Sequence, residues 1–382
     1  MKLLVAAGNL GYFGETDGVV TIYKNLIQRY KKEKIKADVV VYGPEDRIYK
    51  DGSVRIIEHK PIIPLRVDPA REIDVALLWD NLRHKLKGPY DLVESSTPDS
   101  MGMMASRIAK RDKAPFIIFY HTELSEYARI RALDAFPWSK TLSKIWSNLV
   151  YLGMEKWLGN YYQKGDATFA ISNYVAQKMK EKYGKEATII GGGLDTKLFH
   201  PKKKKTANHP PRAIYVGRVV PEKNLEWLVD IFSRNIHLPL TVVGDGPYLN
   251  YMKKKLPNAR FTGRLGIEEC AKEYQKSDYL VFPSKTDTYG LVVLEAMSSG
   301  IPAIVTNQRG PKELVQDGIN GFVTKSKKEF EERILELSID DKKREEMGKN
   351  AREYARTKSW DAFFQNMLRA YKSILKNSPK EK

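Results

Sequence analysis

The chain has 382 residues, too many for one ordinary core, and its 42% hydrophobic and 10% aromatic residues exclude a disordered polyelectrolyte and leave room for two packed domains. The 65 Lys and Arg against 47 Asp and Glu give a formal charge of +18, which favours anionic partners without choosing among nucleic acid, an acidic membrane surface and phosphorylated substrates. The single cysteine, Cys270, excludes an internal disulfide and a C-x-x-C metal knuckle, so a reducing, cytoplasmic setting is expected.

The opening "MKLLVAAGNLGYFGE" has too short an apolar stretch for a signal h-region, and no apolar run approaches the roughly 20 residues that span a bilayer. The chain is therefore expected to be neither exported nor integral to a membrane. Short β-rich runs then alternate with helical patterns: "KLLVAAG" (2–8), "ADVVVYG" (37–43), "DLVESS" (91–96), "PFIIFYH" (115–121), "DATFAIS" (166–172) and "EATIIGG" (186–192). The first helix begins at "TDGVV", with Gly18 where the backbone is most approachable, and carries an apolar stripe of Val19, Ile22, Tyr23, Leu26, Ile27 and Tyr30.

The charge run "PKKKKTAN" (201–208) reads as a solvated linker and marks a boundary. Beyond it the alternation resumes with "RAIYVG" (212–217), "LPLTVVGDG" (238–246), "ARFTG" (259–263), "DYLVFPS" (278–284) and "IPAIVT" (301–306). Past residue 327 the pattern is helical, ending in "SWDAFFQNMLRAYKSIL" (359–375), whose Trp360, Phe363, Met367, Tyr371 and Ile374 share one face and need a surface to cover. The fold class expected is α/β: two doubly wound Rossmann-like domains, 1–200 and 201–358, with a helix at 359–382 crossing back to the first. Ligands of such sheets bind beyond the carboxyl ends of the strands, which makes a cleft between facing domains the place to look.

Each candidate lies after a strand. Arg218 and Lys223 present two positive charges beside a helix start, the usual means of holding a phosphate. In "KTDTYGLVVLEAMSSGIP" (285–302), Asp287 lies in a loop and Gly290 to Ser299 reads as a helix stopped at Gly300, so the amides of Gly290, Leu291 and Val292 make a second anion-seeking start. Glu295 sits on that apolar helix and would cost several kcal/mol if buried alone, so a protein donor or ligand hydroxyls must be near.

At these residues the chain resembles the retaining GT-B glycosyltransferases of the group-one, or family-four, type. "FPSKTDTYGLVVLEAMSSGIPAIV" followed by "GPKELVQDGINGFV" is similar to that family's donor-binding region. In the same order come "DGVV", "FYHTELSEY" (119–127), "ISNYVAQKM" (171–179), "GGLDTKLFHP" (192–201), "YVGRVVPEKNLEWLV" (215–229) and "VVGDGP" (242–247). The resemblance implies GT-B architecture and transfer of a hexosyl group from a nucleotide diphosphate sugar to a hydroxyl acceptor. It implies that Arg218 and Lys223 hold the pyrophosphate, helped by amides at Gly290, Leu291 and Val292 and by the turn at Gly18. Glu295 would bind ribose hydroxyls and Asp287 sugar hydroxyls; Arg264 and Leu265 of "TGRL" would lie along the base; His121 would approach the transferred sugar. The catalytic set implied is thus His121, Arg218, Lys223 and Asp287. The family usually has glutamate where this chain has Asp287, and "TDT" with "YHT" is similar to a subset containing sulfoquinovosyl-diacylglycerol synthases and lipid mannosyl- and glucosyltransferases.

Other motifs are set aside. "VVGDGP" lacks G-x-G-x-x-G and reads as a tight turn; Ser172 lacks a nucleophile elbow and reads as a helix cap. No D-x-D pair occurs, so no metal and no other cofactor is expected. Residues 136–162 hold Trp138, Trp146 and Trp157 with Lys140, Lys144 and Lys156 between them. Leu142, Ile145, Trp146, Leu149 and Trp157 on one helical face suit either a core-packing helix or a contact with anionic lipid, and the charge favours the lipid. The acceptor expected is a lipid or lipid-linked glycan, with a soluble acceptor as the alternative; the protein would then be peripheral on the cytoplasmic face of a membrane. A catalytically inactive polyanion-binding protein is the rival from another class, but no nucleic-acid-binding motif supports a nucleic-acid partner.

Overall fold

The computed structural model describes residues 1–378 apart from 10–17, 61–84, 122, 134, 137 and 203–208. Two compact units emerge: Met1–Gly191 with Phe364–Lys382, and Gly192–Phe363.

In the first unit the order is β1 (Lys2–Asn9), α1 (Gly18–Lys32), β2 (Lys36–Tyr42), β3 (Arg47–Asp51), β4 (Val54–His59), β5 (Leu92–Ser95), α2 (Ser100–Asp112), β6 (Phe116–Tyr120), α3 (Leu124–Ala132), α4 (Lys140–Tyr162), β7 (Ala167–Ala170), α5 (Asn173–Tyr183) and β8 (Thr188–Ile189). They build one eight-stranded sheet, β3-β4-β2-β1-β5-β6-β7-β8, parallel except at the β3–β4 hairpin. The inner strands are mostly apolar and buried because helices cover both faces: β2 is buried from Ala37 to Tyr42, its Asp38 included, and β6 along its whole length. The β3–β4 hairpin, closed by the two-residue loop Gly52-Ser53, was not among the expected strands. On α1 the buried stripe runs through Val20 where Val19 was expected; Ile22, Tyr23, Leu26, Ile27 and Tyr30 follow as anticipated. Ser172 caps α5, accepting from the Val175 amide.

The second unit runs β9 (Ala213–Val216), a 3-10 turn (Pro221–Lys223), α6 (Glu226–Arg234), β10 (Leu240–Val243), α7 (Leu249–Lys255), β11 (Arg260–Gly263), α8 (Ile267–Gln275), β12 (Tyr279–Phe282), α9 (Leu291–Ser298), β13 (Ala303–Thr306), β14 (Gly321–Thr324), α10 (Lys327–Ile339), α11 (Asp341–Arg356) and α12 (Trp360–Asn377). Its six-stranded sheet, β11-β10-β9-β12-β13-β14, is parallel in every pair. Strand order reverses between β9 and β12, which opens a crevice at their carboxyl ends.

The division falls at Gly191, earlier than the charge run at 201–208 suggested, most of which lies outside the described residues. Packing explains it: Leu194 pairs with Ser359, and the buried Phe199 offers its carbonyl to Ser298 Oγ at 2.6 Å and to Arg352 at 2.8 Å. Residues 192–201 are therefore a strap belonging to the second unit. From Phe364 onward α12 belongs to the first unit, where Phe364 packs on Tyr30 and the Tyr371 hydroxyl donates to Glu94.

α4 bears on the two readings left open for its apolar face. Its early turns bury Ser143 and Ser147, while Leu142, Ile145, Trp146, Leu149 and Leu152 face solvent. The serines turn inward because their hydroxyls are satisfied locally, Ser143 donating to Phe136 O and Ser147 to Lys144 O. Only Leu158, Tyr161 and Tyr162 anchor the helix in the core, so it is not the core-packing helix that its apolar face first suggested.

Candidate functional site

In the second unit, the loops after β9 and β12 meet at the switch point. After β9, the Arg218 carbonyl accepts from the Tyr215 hydroxyl at 2.8 Å, and its guanidinium stands 3.6 Å from Glu222. Gly244 holds this loop from below: at φ +141 it lies so close that a Cβ would sit 1.8 Å from the Gly217 carbonyl. Thus the glycines of "VVGDGP" are a close-approach turn, as expected, yet one that shapes the Arg218 loop, which the sequence did not reveal. Lys223 ends the 3-10 turn and is itself nearly buried; Asn224, in the left-handed region, anchors the turn to Pro283 O at 3.2 Å.

Lys223 Nζ meets Asp287 Oδ2 at 2.7 Å. Burial raises the Asp287 carboxyl, but the Lys223 ammonium, the Ser284 hydroxyl and Arg218 outweigh it and hold the acid below the usual carboxylate range. Asp287 is therefore a fixed anion whose charge is already balanced. Its loop is held in place by Gly310, whose amide donates to Asp287 O at 3.2 Å.

α9 starts at Gly290, at φ +97, and no side chain caps it. Among the described residues the amides of Leu291 and Val292 have no partner at this helix end, where the macrodipole is positive. On the same helix the half-buried Glu295 accepts from the buried Tyr274 hydroxyl at 3.1 Å. Burial lifts this carboxyl to about 7, against the pull of that hydrogen bond. Of the two partners the sequence allowed, a protein donor or ligand hydroxyls, a protein donor is present: Tyr274 on α8, 21 residues away and without any local signal. Arg264 and Leu265 occupy the loop between β11 and α8, Arg264 exposed and Leu265 half-buried. Arg218, Lys223, Asp287 and the start of α9 come together; Arg264 and Leu265 lie at the other end of α8 from Tyr274.

The first unit holds His121 immediately after β6. Its ring stacks at 3.9 Å on Phe119 with Tyr23 edge-on at 5.8 Å, and burial drives its pKa down to about 3. It is a neutral imidazole at physiological pH and cannot carry positive charge there. Nearby, the buried Glu123 and Lys178 form an ion pair, with the Tyr174 hydroxyl 3.3 Å from the same carboxylate. Gly18 is the exposed first residue of α1; the preceding residues, Asp17 included, and Thr122 lie outside the described residues. Among the described residues no group of three or more His, Cys, Asp or Glu could hold a metal ion, and no helix is long and apolar enough to cross a membrane.

Residues 16–198 match the model of glycosyltransferase family 4, and residues 196–354 that of glycosyl transferases group 1. Together they take in all but the two ends of the chain, which belongs to this family of glycosyltransferases and is itself such an enzyme. A GDP-mannose-dependent alpha-mannosyltransferase of Corynebacterium glutamicum is 27% identical, over 98% of this chain and 89% of that protein. Sulfoquinovosyl transferase SQD2 of Arabidopsis thaliana is 28% identical over 71% of this chain and 54% of its own, and an alpha-monoglucosyldiacylglycerol synthase of Streptococcus pneumoniae is 24% identical over 86% and 76%. Among solved structures, sucrose-phosphate synthase of Thermosynechococcus elongatus matches with a TM-score of 0.73 at 17% identity, over 99% of this chain and all of that one. A glycosyltransferase of Rickettsia africae matches at 0.71 and 16%, over 99% of both chains. The two parallel-sheet units are the Rossmann-like domains of the GT-B fold.

Proposed function

We propose that the enzyme moves a hexosyl group from a nucleotide diphosphate sugar to a hydroxyl of a lipid or lipid-linked glycan, with retention of anomeric configuration. One observation carries the reading: two cations, a charge-balanced acid and an uncapped helix start converge at the switch point of the second sheet. Charge grows on the departing diphosphate during transfer, so Arg218, Lys223 and the amides of Gly290, Leu291 and Val292 stabilise the transition state more than the ground state. These fixed cations supply what a metal would otherwise provide, and the proposal is metal-independent transfer.

Glu295 takes the ribose hydroxyls, Arg264 and Leu265 flank the base, and Asp287 takes hydroxyls of the sugar. Because Asp287 is bonded to Lys223, it suits holding hydroxyls better than attacking carbon, which supports transfer on one face without a covalent intermediate. His121, being neutral, is proposed to orient the sugar by hydrogen bonding. The lipid acceptor draws support from the relatives named as diacylglycerol-glycosylating enzymes and from the exposed face of α4, where Lys140, Lys144 and Lys156 accompany Trp138, Trp146 and Trp157. These features also support a peripheral place on the cytoplasmic face of a membrane with anionic lipid.

A thermal-shift screen of UDP-, GDP- and ADP-hexoses tests the donor. A rise in unfolding midpoint with one nucleotide class, saturating with concentration, is the expected result. No shift with any nucleotide sugar or nucleoside diphosphate would overturn the reading.

A further inference from the structure

α8 joins two parts of the proposed donor site. The loop carrying Arg264 and Leu265 precedes it, and near its other end Tyr274 reaches α9. The Tyr274 side chain has no exposed surface, and its hydroxyl lies 3.1 Å from Glu295 Oε2 and 3.1 Å from Val292 O. A phenol has one hydrogen to give, so the Glu295 carboxylate and the Val292 carbonyl share it, the charged oxygen being the stronger acceptor. Glu295 Oε1 has no protein donor among the described residues. The ring of Tyr274 is held in turn by Phe199 of the 192–201 strap, edge-on at 5.9 Å, and that strap is tied to α9 and α11 through Ser298 and Arg352. Cys270, one turn before Tyr274, flanks the same carboxylate, and its thiol is pushed up by burial, Glu295 and Glu273.

We infer that Tyr274 is a positioning residue for the donor nucleotide, fixing the Glu295 side chain so that its other carboxylate oxygen is left for ribose. The inference rests on the proposed role of Glu295. Two consequences follow from geometry and charge. Without the phenolic hydrogen, Glu295 has no described protein donor and is free to change rotamer. With burial unopposed, the carboxyl, already lifted to about 7, moves higher, and a larger share of it is protonated at neutral pH. A neutral acid is a poorer acceptor for two ribose hydroxyls than a carboxylate.

The test measures affinity for ADP, GDP and UDP by calorimetry on the whole chain, at several values between about pH 6 and pH 8.5. Whichever of the three binds is carried forward with its 2′-deoxy counterpart. Tyr274→Phe keeps the ring and its Phe199 contact while removing the hydroxyl. The expected result is binding weaker by about tenfold at neutral pH, with the pH at which binding is half lost displaced upward from wild type. The phosphate's own titration cancels in that comparison. The variant and wild type should differ less on the 2′-deoxy nucleotide. Wild-type affinity and pH profile in Tyr274→Phe, with Glu295→Gln weakened, would overturn the inference and leave the ribose role standing. Equal weakening on both nucleotides with no displaced profile would also overturn it, since lost packing alone acts that way. Wild-type affinity in Glu295→Gln would overturn the ribose role itself.

Discussion

Glu94 stands on β5 with no exposed surface and accepts hydrogen bonds from the hydroxyls of Tyr23 and Tyr371, the latter also 3.0 Å from Tyr30 Oη. Burial outweighs both bonds and lifts the carboxyl to about 7 from its ordinary 4.5. The folded chain then holds a proton that the unfolded chain has released. Its stabilising share is complete below the unfolded value and is lost as pH rises through about 7. The difference amounts to ~3 kcal/mol across the window. Glu295 acts with the same sign, since it too is lifted to about 7. Glu94→Gln mimics the protonated acid, so its thermal midpoint should decline less than that of wild type between about pH 5 and pH 8. An unchanged decline would assign the pH dependence to other groups.

At the scale of elements, α4 departs most from ordinary packing. Trp138 just before it is 76% exposed and Leu152 63%, and Phe136 lies edge-on to both Trp138 and Trp146. Leaving so many large side chains in water forfeits the roughly 1.5–3 kcal/mol that burial of each would contribute, which calls for a contact beyond the described residues. The interleaved lysines add about 1 kcal/mol each near an anionic bilayer. The chain should float with vesicles rich in phosphatidylglycerol and release with salt. Replacing Trp138 and Trp146 by alanine should reduce flotation severalfold without lowering the thermal midpoint, because neither side chain supports the core. Failure of the parent chain to float would count against the membrane contact.

At the scale of the molecule, the two parallel sheets were legible because most inner strands are short, largely apolar runs, and their carboxyl ends carried Arg218, Lys223, Asp287 and His121. What the sequence left hidden has physical causes. The β3–β4 hairpin has exposed residues throughout β3, so no apolar run marked it, although Gly52-Ser53 between two β-rich stretches was an available turn signal. β14, the four residues "GFVT", was too short to stand out as a run. The inward serines of α4 inverted a pattern that periodicity alone assigns to a core. Tyr274 could not be paired with Glu295 because two helices bring them together across a gap in sequence, and the Lys223–Asp287 bond likewise joins loops 64 residues apart. Arg218→Ala tests whether the switch-point cations carry the donor chemistry. With the donor identified, the rate of hexosyl transfer by this variant should fall by about 10²–10³ at an unchanged unfolding midpoint. Near-normal transfer would contradict the assignment of the diphosphate to this site.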